Sequence, residues 1–425
     1  MKHKLFALLG GTIALVVVVI LALSILAQRT QMVPSGPPPT LPSGAEQFSV
    51  IRAFADEVAW NRPAAEFGAS TRFAQYAERF WNYGSFGGWD DPDKRGALDV
   101  RFGDYSMPIY DAREATGTKS VYIANFGYPP YAGYHVEIPW NDHWEPSSGN
   151  DAMMIVVNPD TGEAWSTWLL LKSNPSTCLT PSNIAAGFRP FSDLCAGGAS
   201  RLDNADGSVG DFRTWNSYDS ERGAGLPKLA MLTTPYEVRA GAIDHALALT
   251  VFNPMFGPTC TTDTIDTAAA GDSCGFYVSP ATRMEWPETA YQGCGANSQP
   301  TNDETRRKTV PQGMRFALDI SDADLEAWLD ERGYQGPKRE TARIFAVALR
   351  DYGMIVVETG CYGRAIAVDG FVNPQARAIW EELGITDDGT ADRLLDGLMT
   401  QDRVYVVEPA PLSPAITEPR PGLRR

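Results

Sequence analysis

Histidine is scarce in this chain of 425 residues, with four in all, and basic residues are outnumbered: 36 lysines and arginines stand against 52 acids, a net charge of -16. That imbalance excludes a nucleic-acid partner, because phosphate binding needs a basic footprint and no Lys/Arg-rich patch supplies one. The six cysteines include no CxxC pair, which removes a thiolate zinc site; no metal and no other cofactor is expected. P-loop, strand-GxGxxG-helix, HExxH and GxSxG patterns are all missing, and with them the usual signatures of nucleotide, dinucleotide, metalloprotease and serine-hydrolase chemistry. The stretch "DNADGSVGD" (Asp203 to Asp211) looks like a calcium loop, but its acids miss the alternating spacing such a loop needs, so it reads as a solvated turn.

What is present begins with an uncharged run. Lys2 and Lys4 precede Leu5 to Ala27, 23 residues that as a helix would cross a hydrocarbon layer of about 30 Å. A cleaved signal usually has an apolar stretch of only about 7–15 residues. Residues 1–29 are therefore expected to be a retained signal anchor, with a secreted product cut near Ser24 or Ala27 as the alternative. The charges before the run place the rest of the chain outside the cell, on a single-pass membrane protein. An even number of cysteines suits that oxidising compartment. Short loop closure pairs Cys178 with Cys195 and Cys260 with Cys274, leaving Cys294 for Cys361.

Residues 30–44, rich in Pro, Gly and Ser, read as a linker. Helical spacing of Phe48, Ile51, Phe54 and Val58, and again after Pro63, predicts a helical segment over 45–100. Residues 101–409 carry short apolar runs punctuated by turn residues, including a hairpin through Pro159-Asp160-Thr161-Gly162. The spacing predicts a mainly β fold with peripheral helices, its core an antiparallel β-sandwich or jelly-roll from about Phe102 to Val368. Helix starts are marked at Ser321/Asp324, at Pro337 and at Asn373-Pro374. Residues 410–425 read as a disordered tail.

Aromatic clustering in "IPWNDHWEP" makes Trp140, His143 and Trp144, with Trp286 further on, candidates for stacking on sugar rings, although Trp in a β-rich domain also serves as core. Isolated acids such as Asp142, Glu145, Asp219, Glu221 and Glu285 read first as surface or capping residues. Two polar residues abutting apolar runs stand out: Asp151 in "GNDAMM" and His245 in "IDHALALT". His245 reads as a buried ring tying two backbone segments, beside the strand that carries Asp151, with a catalytic role as the second reading.

Five segments, "GNDAMMIVVNPDTGEAW", "GAGLPKLAMLTTPYEVRAGAIDHALALTV", "ATRMEWP", "PQGMRFAL" and "ALRDYGMIVVETG", occur in the order seen in a family of secreted, mostly uncharacterised actinobacterial-type proteins with D-x-H, GLP and I-x-HAL motifs. The chain resembles that family over about Phe102 to Val368. The resemblance implies an exported β-rich domain and matches Asp151 and His245 to family positions, while Met153 stands where the family has a histidine. The expected function is binding of glycan or another envelope component without catalysis; the alternative is cleavage of polysaccharide or cell-wall glycan with Asp151 and His245 as catalytic groups.

Overall fold

The computed structural model describes residues 54–124, 132–172, 176–202, 222–260, 272–287 and 299–410. The expected anchor, the linker, the Asp203 to Asp211 loop, Asp219, Glu221, Cys294 and nearly all of the tail lie outside the described residues. Among the described residues no helix is long and apolar enough to cross a membrane.

Among the described residues thirteen strands, numbered in chain order, form three sheets. The largest runs β1 (Asp99–Arg101), β12 (Ala365–Ala367), β9 (Leu247–Val251), β11 (Met354–Thr359), β10 (Arg315–Leu318) and β13 (Val404–Val407). A second sheet runs β2 (Ile109–Asp111), β5 (Met154–Asn158), β6 (Glu163–Trp168) and β8 (Gly198–Arg201). The third runs β4 (His135–Trp140), β3 (Gly117–Ile123) and β7 (Leu194–Ala196).

The sheets stack because their strands are apolar on both faces. In β9, Leu247, Leu249 and Val251 face one core with the helices Gly336–Asp351 and Pro374–Glu382, while Ala246 and Ala248 face a second. That second core receives Ile155 and Val157 of β5, whose other face sends Met154 and Val156 into a third core shared with Val121, Ile138 and Trp140. Alternation with a period of two, buried on both sides, is what a central layer requires.

The hairpin is formed as expected, Asn158 opposite Glu163 with Gly162 at a positive φ of 76°. The helix Asp322–Glu331 starts at the Ser321/Asp324 capping box, and Asn373 caps Pro374–Glu382. The architecture differs from the expected sandwich. With about 23% strand and 24% helix it is mixed α/β, in several small sheets, and the described residues form no closed barrel. The β9–β11, β1–β12, β2–β5 and β3–β7 pairs are parallel. Continuous apolar runs such as "MIVV" suit doubly buried strands of either direction, and turn residues cannot reveal crossovers as long as the one from β9 to β11.

Of the helical segment expected over 45–100, residues 45–53 lie outside the described residues. Phe54 sits at a φ of 73°, outside the right-handed helical region, and Asn61 donates to the carbonyls of Phe54 and Ala55 to close a turn instead. Among the described residues before Phe102 the α-helix is Gln75–Tyr83, with 3-10 turns at Ala59–Asn61, Ala64–Glu66 and Pro92–Lys94.

Candidate functional site

Four of the five segments singled out in the sequence meet beyond the carboxyl ends of β9 and β11. Asp151 comes from the first, Lys228 from the second, Glu285 and Trp286 from the third, Glu358 and Thr359 from the fifth. A bulge shifts the β11 register between Val356 and Glu358, as bulges do where a side chain must be re-aimed. Glu358 Oε1 then lies 2.7 Å from Nη1 of Arg222, which is fully buried and donates also to the Lys228 carbonyl. The turn carrying Arg222 docks on β11 through Ala224 N–H and the Val357 carbonyl.

Glu285 is partly buried, held between Gly223 and Thr359. Its Oε2 accepts from the Thr359 N–H at 2.7 Å and the Thr359 hydroxyl at 2.8 Å, and Trp286 Nε1 donates to that hydroxyl. Gly223 is required beside it, because a Cβ there would stand 2.6 Å from the carboxyl. Burial raises the Glu285 carboxyl to about 7; the negative charges of Glu358 and Asp151 add to the rise, and the Thr359 hydrogen bonds oppose it. Burial likewise raises Asp151, helped by Glu358 and opposed by Lys228 and by Trp168 Nε1, which donates at 3.4 Å. Lys228 is itself 2% exposed.

A half-open cavity of about 480 Å³ is lined by other residues. Tyr105, Tyr362 and Phe371 form its aromatic wall, and Arg101, paired with Asp392, and Arg377, paired with Asp387, supply planar polar groups. The Tyr105 and Tyr362 rings lie 6.1 Å apart, and Asp151 is close enough to Tyr105 to raise its hydroxyl further above what burial does. Gly149, at a φ of 91°, lets the loop pass over the Tyr105 ring, where a Cβ would meet carbon at 3.0 Å. Among the described residues no group of three His, Cys, Asp or Glu could hold a metal ion.

The other expected site residues are elsewhere. His245 precedes β9, at the end of the parallel β9–β11 pair opposite Glu358, on the order of 15 Å from the cluster along five strand residues. Asp151 and His245 therefore do not form a pair, and β5, which follows Asp151, lies in a different sheet from β9. Trp140 and Trp144, each 3% exposed, are core, with Trp144 stacked on Tyr110 at 5.1 Å; neither offers a face to a sugar. His143 is exposed, and only Trp286 reaches the cluster. Cys178–Cys195 and Cys260–Cys274 are bonded as expected, and Cys361 is disulfide-bonded as well.

Sequence reasoning passed over Arg222, Lys228 and Glu358. Lys228 in "LPKLAML" and Glu358 in "MIVVETG" obey the rule that drew attention to Asp151, a charged residue abutting an apolar run, and that rule would have found both. No protein-family model matches the chain, and neither does any curated protein or solved structure.

Proposed function

We propose that the protein is a membrane-tethered extracytoplasmic receptor for glycan, seated in the cavity bounded by Tyr105, Tyr362 and Phe371. One observation carries this reading: a half-open cavity of about 480 Å³, ligand-sized, in which ring faces adjoin Asp104, Asp387 and Arg377. Sugar rings bury their C–H faces on aromatics and bond their hydroxyls to carboxylates and guanidinium groups, so the mixture suits them better than it suits a wholly apolar ligand. The bonded cysteines support an oxidising compartment, and the Leu5 to Ala27 run supports a tether.

Calorimetry with peptidoglycan, β-1,3-glucan, xylan and mannan tests the reading. Tyr362 is 61% exposed, so Tyr362→Ala removes ring surface without opening the core. Binding of at least one glycan is expected, weakened about tenfold or more in Tyr362→Ala, which is worth about 1.4 kcal/mol, with the melting temperature unchanged. Failure of all four glycans to bind, or equal affinity in the variant, would contradict it.

A further inference from the structure

We infer that the glycan taken by the cavity is an amino-sugar polymer with free, protonated amines, one ammonium group being held by Asp104 and the Tyr105 and Tyr362 rings. This rests on the reading that the cavity binds glycan, and adds the charge the glycan bears.

Three carboxylates, Asp104, Asp387 and Asp392, and two guanidinium groups, Arg101 and Arg377, line the cavity. Both cations are already matched. Arg101 lies 3.5 Å from Asp392 and 3.4 Å from Asp99, so two acids share it. Arg377 lies 3.0 Å from Asp387, donates from Nε to the Phe371 carbonyl at 3.0 Å and stands over the Phe371 ring at 5.4 Å. Asp104 is exposed and has neither a hydrogen bond nor an ion pair among the described residues. A lone exposed carboxylate would signify only hydration; this one lines an aromatic-walled cavity.

With Arg377 over Phe371, the ring surface left to a ligand belongs mainly to Tyr105 and Tyr362. Their centroids lie 6.1 Å apart and their planes are tilted by 48°, an open wedge rather than a closed stack. Asp104 and Tyr105 are adjacent in the chain, so the carboxylate and the first ring are placed together. Tyr105 holds a φ of 65°, in the left-handed region that residues with a side chain seldom enter, and its N–H donates to the Ser148 carbonyl at 3.1 Å. A cation within about 6 Å of a tyrosine ring centroid is drawn to the negative face of the ring.

The sign of the ligand charge follows from these pairings. A glycan bearing carboxylates or phosphates would bring its charge up to Asp104 with no free cation to meet it. A neutral glycan would strip water from Asp104 without returning a counter-charge. An ammonium on the sugar ring answers the carboxylate and both tyrosine faces together, and the net charge of -16 draws a polycation toward the protein.

Calorimetry in weakly acidic buffer with β-1,4-linked glucosamine oligomers, and with N-acetylglucosamine oligomers of the same length, separates charge from shape because the two share a backbone. Wild type is expected to bind the glucosamine oligomer about tenfold or more tighter than its acetylated counterpart, with the preference shrinking as salt is added. Asp104→Asn is expected to erase the preference at an unchanged melting temperature, whereas Tyr362→Ala weakens both oligomers. Should Asp104→Asn fail to fold, the wild-type comparison decides. Equal affinity of wild type for the two oligomers, or a preference that survives Asp104→Asn, overturns the amine assignment and leaves the glycan reading standing. The same follows if one of the four glycans named above binds and neither oligomer does. A wild type that binds none of these probes overturns both.

Discussion

The His245 ring has both nitrogens engaged, Nδ1 at 2.8 Å from the Ala246 carbonyl and Nε2 at 3.0 Å from the Glu237 carboxylate. It pins the entry of β9 to the helix Pro235–Ala240. His245→Ala strands that carboxylate, and a loss of about 1–3 kcal/mol in denaturant unfolding is expected, with glycan affinity of the folded protein unchanged; a variant as stable as wild type would show that the tie is idle. Asp369 poses a different problem. It is fully buried, Oδ1 accepts from Ile109 N–H, and Oδ2 has no hydrogen-bond partner. Burial holds its carboxyl well above 3.8, the Ile109 and Asn373 bonds opposing. A raised acid contributes stability that is complete below 3.8 and is lost as pH rises through the folded value. Asp369→Asn removes that loss, so it is expected to melt higher than wild type at pH 7 and to show no such gain near pH 3.5. At this scale the sequence was legible where a polar residue interrupts an apolar run, as for Asp151 and His245. It was opaque for Glu285, because Met284 and Trp286 flank it singly, with Arg283 and Pro287 next, so no apolar run marks the acid as enclosed.

Helices were the readable elements, since their ends are set by local chemistry. The Ser321/Asp324 box and the Asn373 cap stand where side-chain oxygens meet free N–H groups within three residues. Thr234 caps Pro235–Ala240 in the same way with Glu237, and Thr234→Ala is expected to lower stability by about 1 kcal/mol in a melting experiment. Strand partners are chosen by contacts far apart in sequence, which is why the parallel β9–β11 pair could not be read from turns. The loop through Gly149 is an element of the same non-local kind, fitted to a ring 44 positions earlier in the chain. Gly149→Ala should force Tyr105 aside and weaken glycan binding about tenfold or more, as large an effect as removing the Tyr362 ring; unchanged affinity would mean that the loop yields instead.

For the whole molecule, covalent staples add to the stacked sheets, one of them anchored in β7 through Cys195. Cys178–Cys195 and Cys260–Cys274 close short segments of 17 and 14 residues, and each contributes on the order of 2–4 kcal/mol by restricting the unfolded chain. Treatment with a reductant is therefore expected to lower the melting temperature, and an unchanged melt would place these bridges outside the cooperative unit. The bond at Cys361 has a wider reach. It fixes the short stretch that holds Thr359, the clamp on Glu285, and Tyr362, one wall of the cavity. Thiol chemistry thereby acts as a safety catch: under reducing conditions the sheets keep their own hydrogen bonds, while the stretch from Thr359 to Tyr362 loses its covalent anchor.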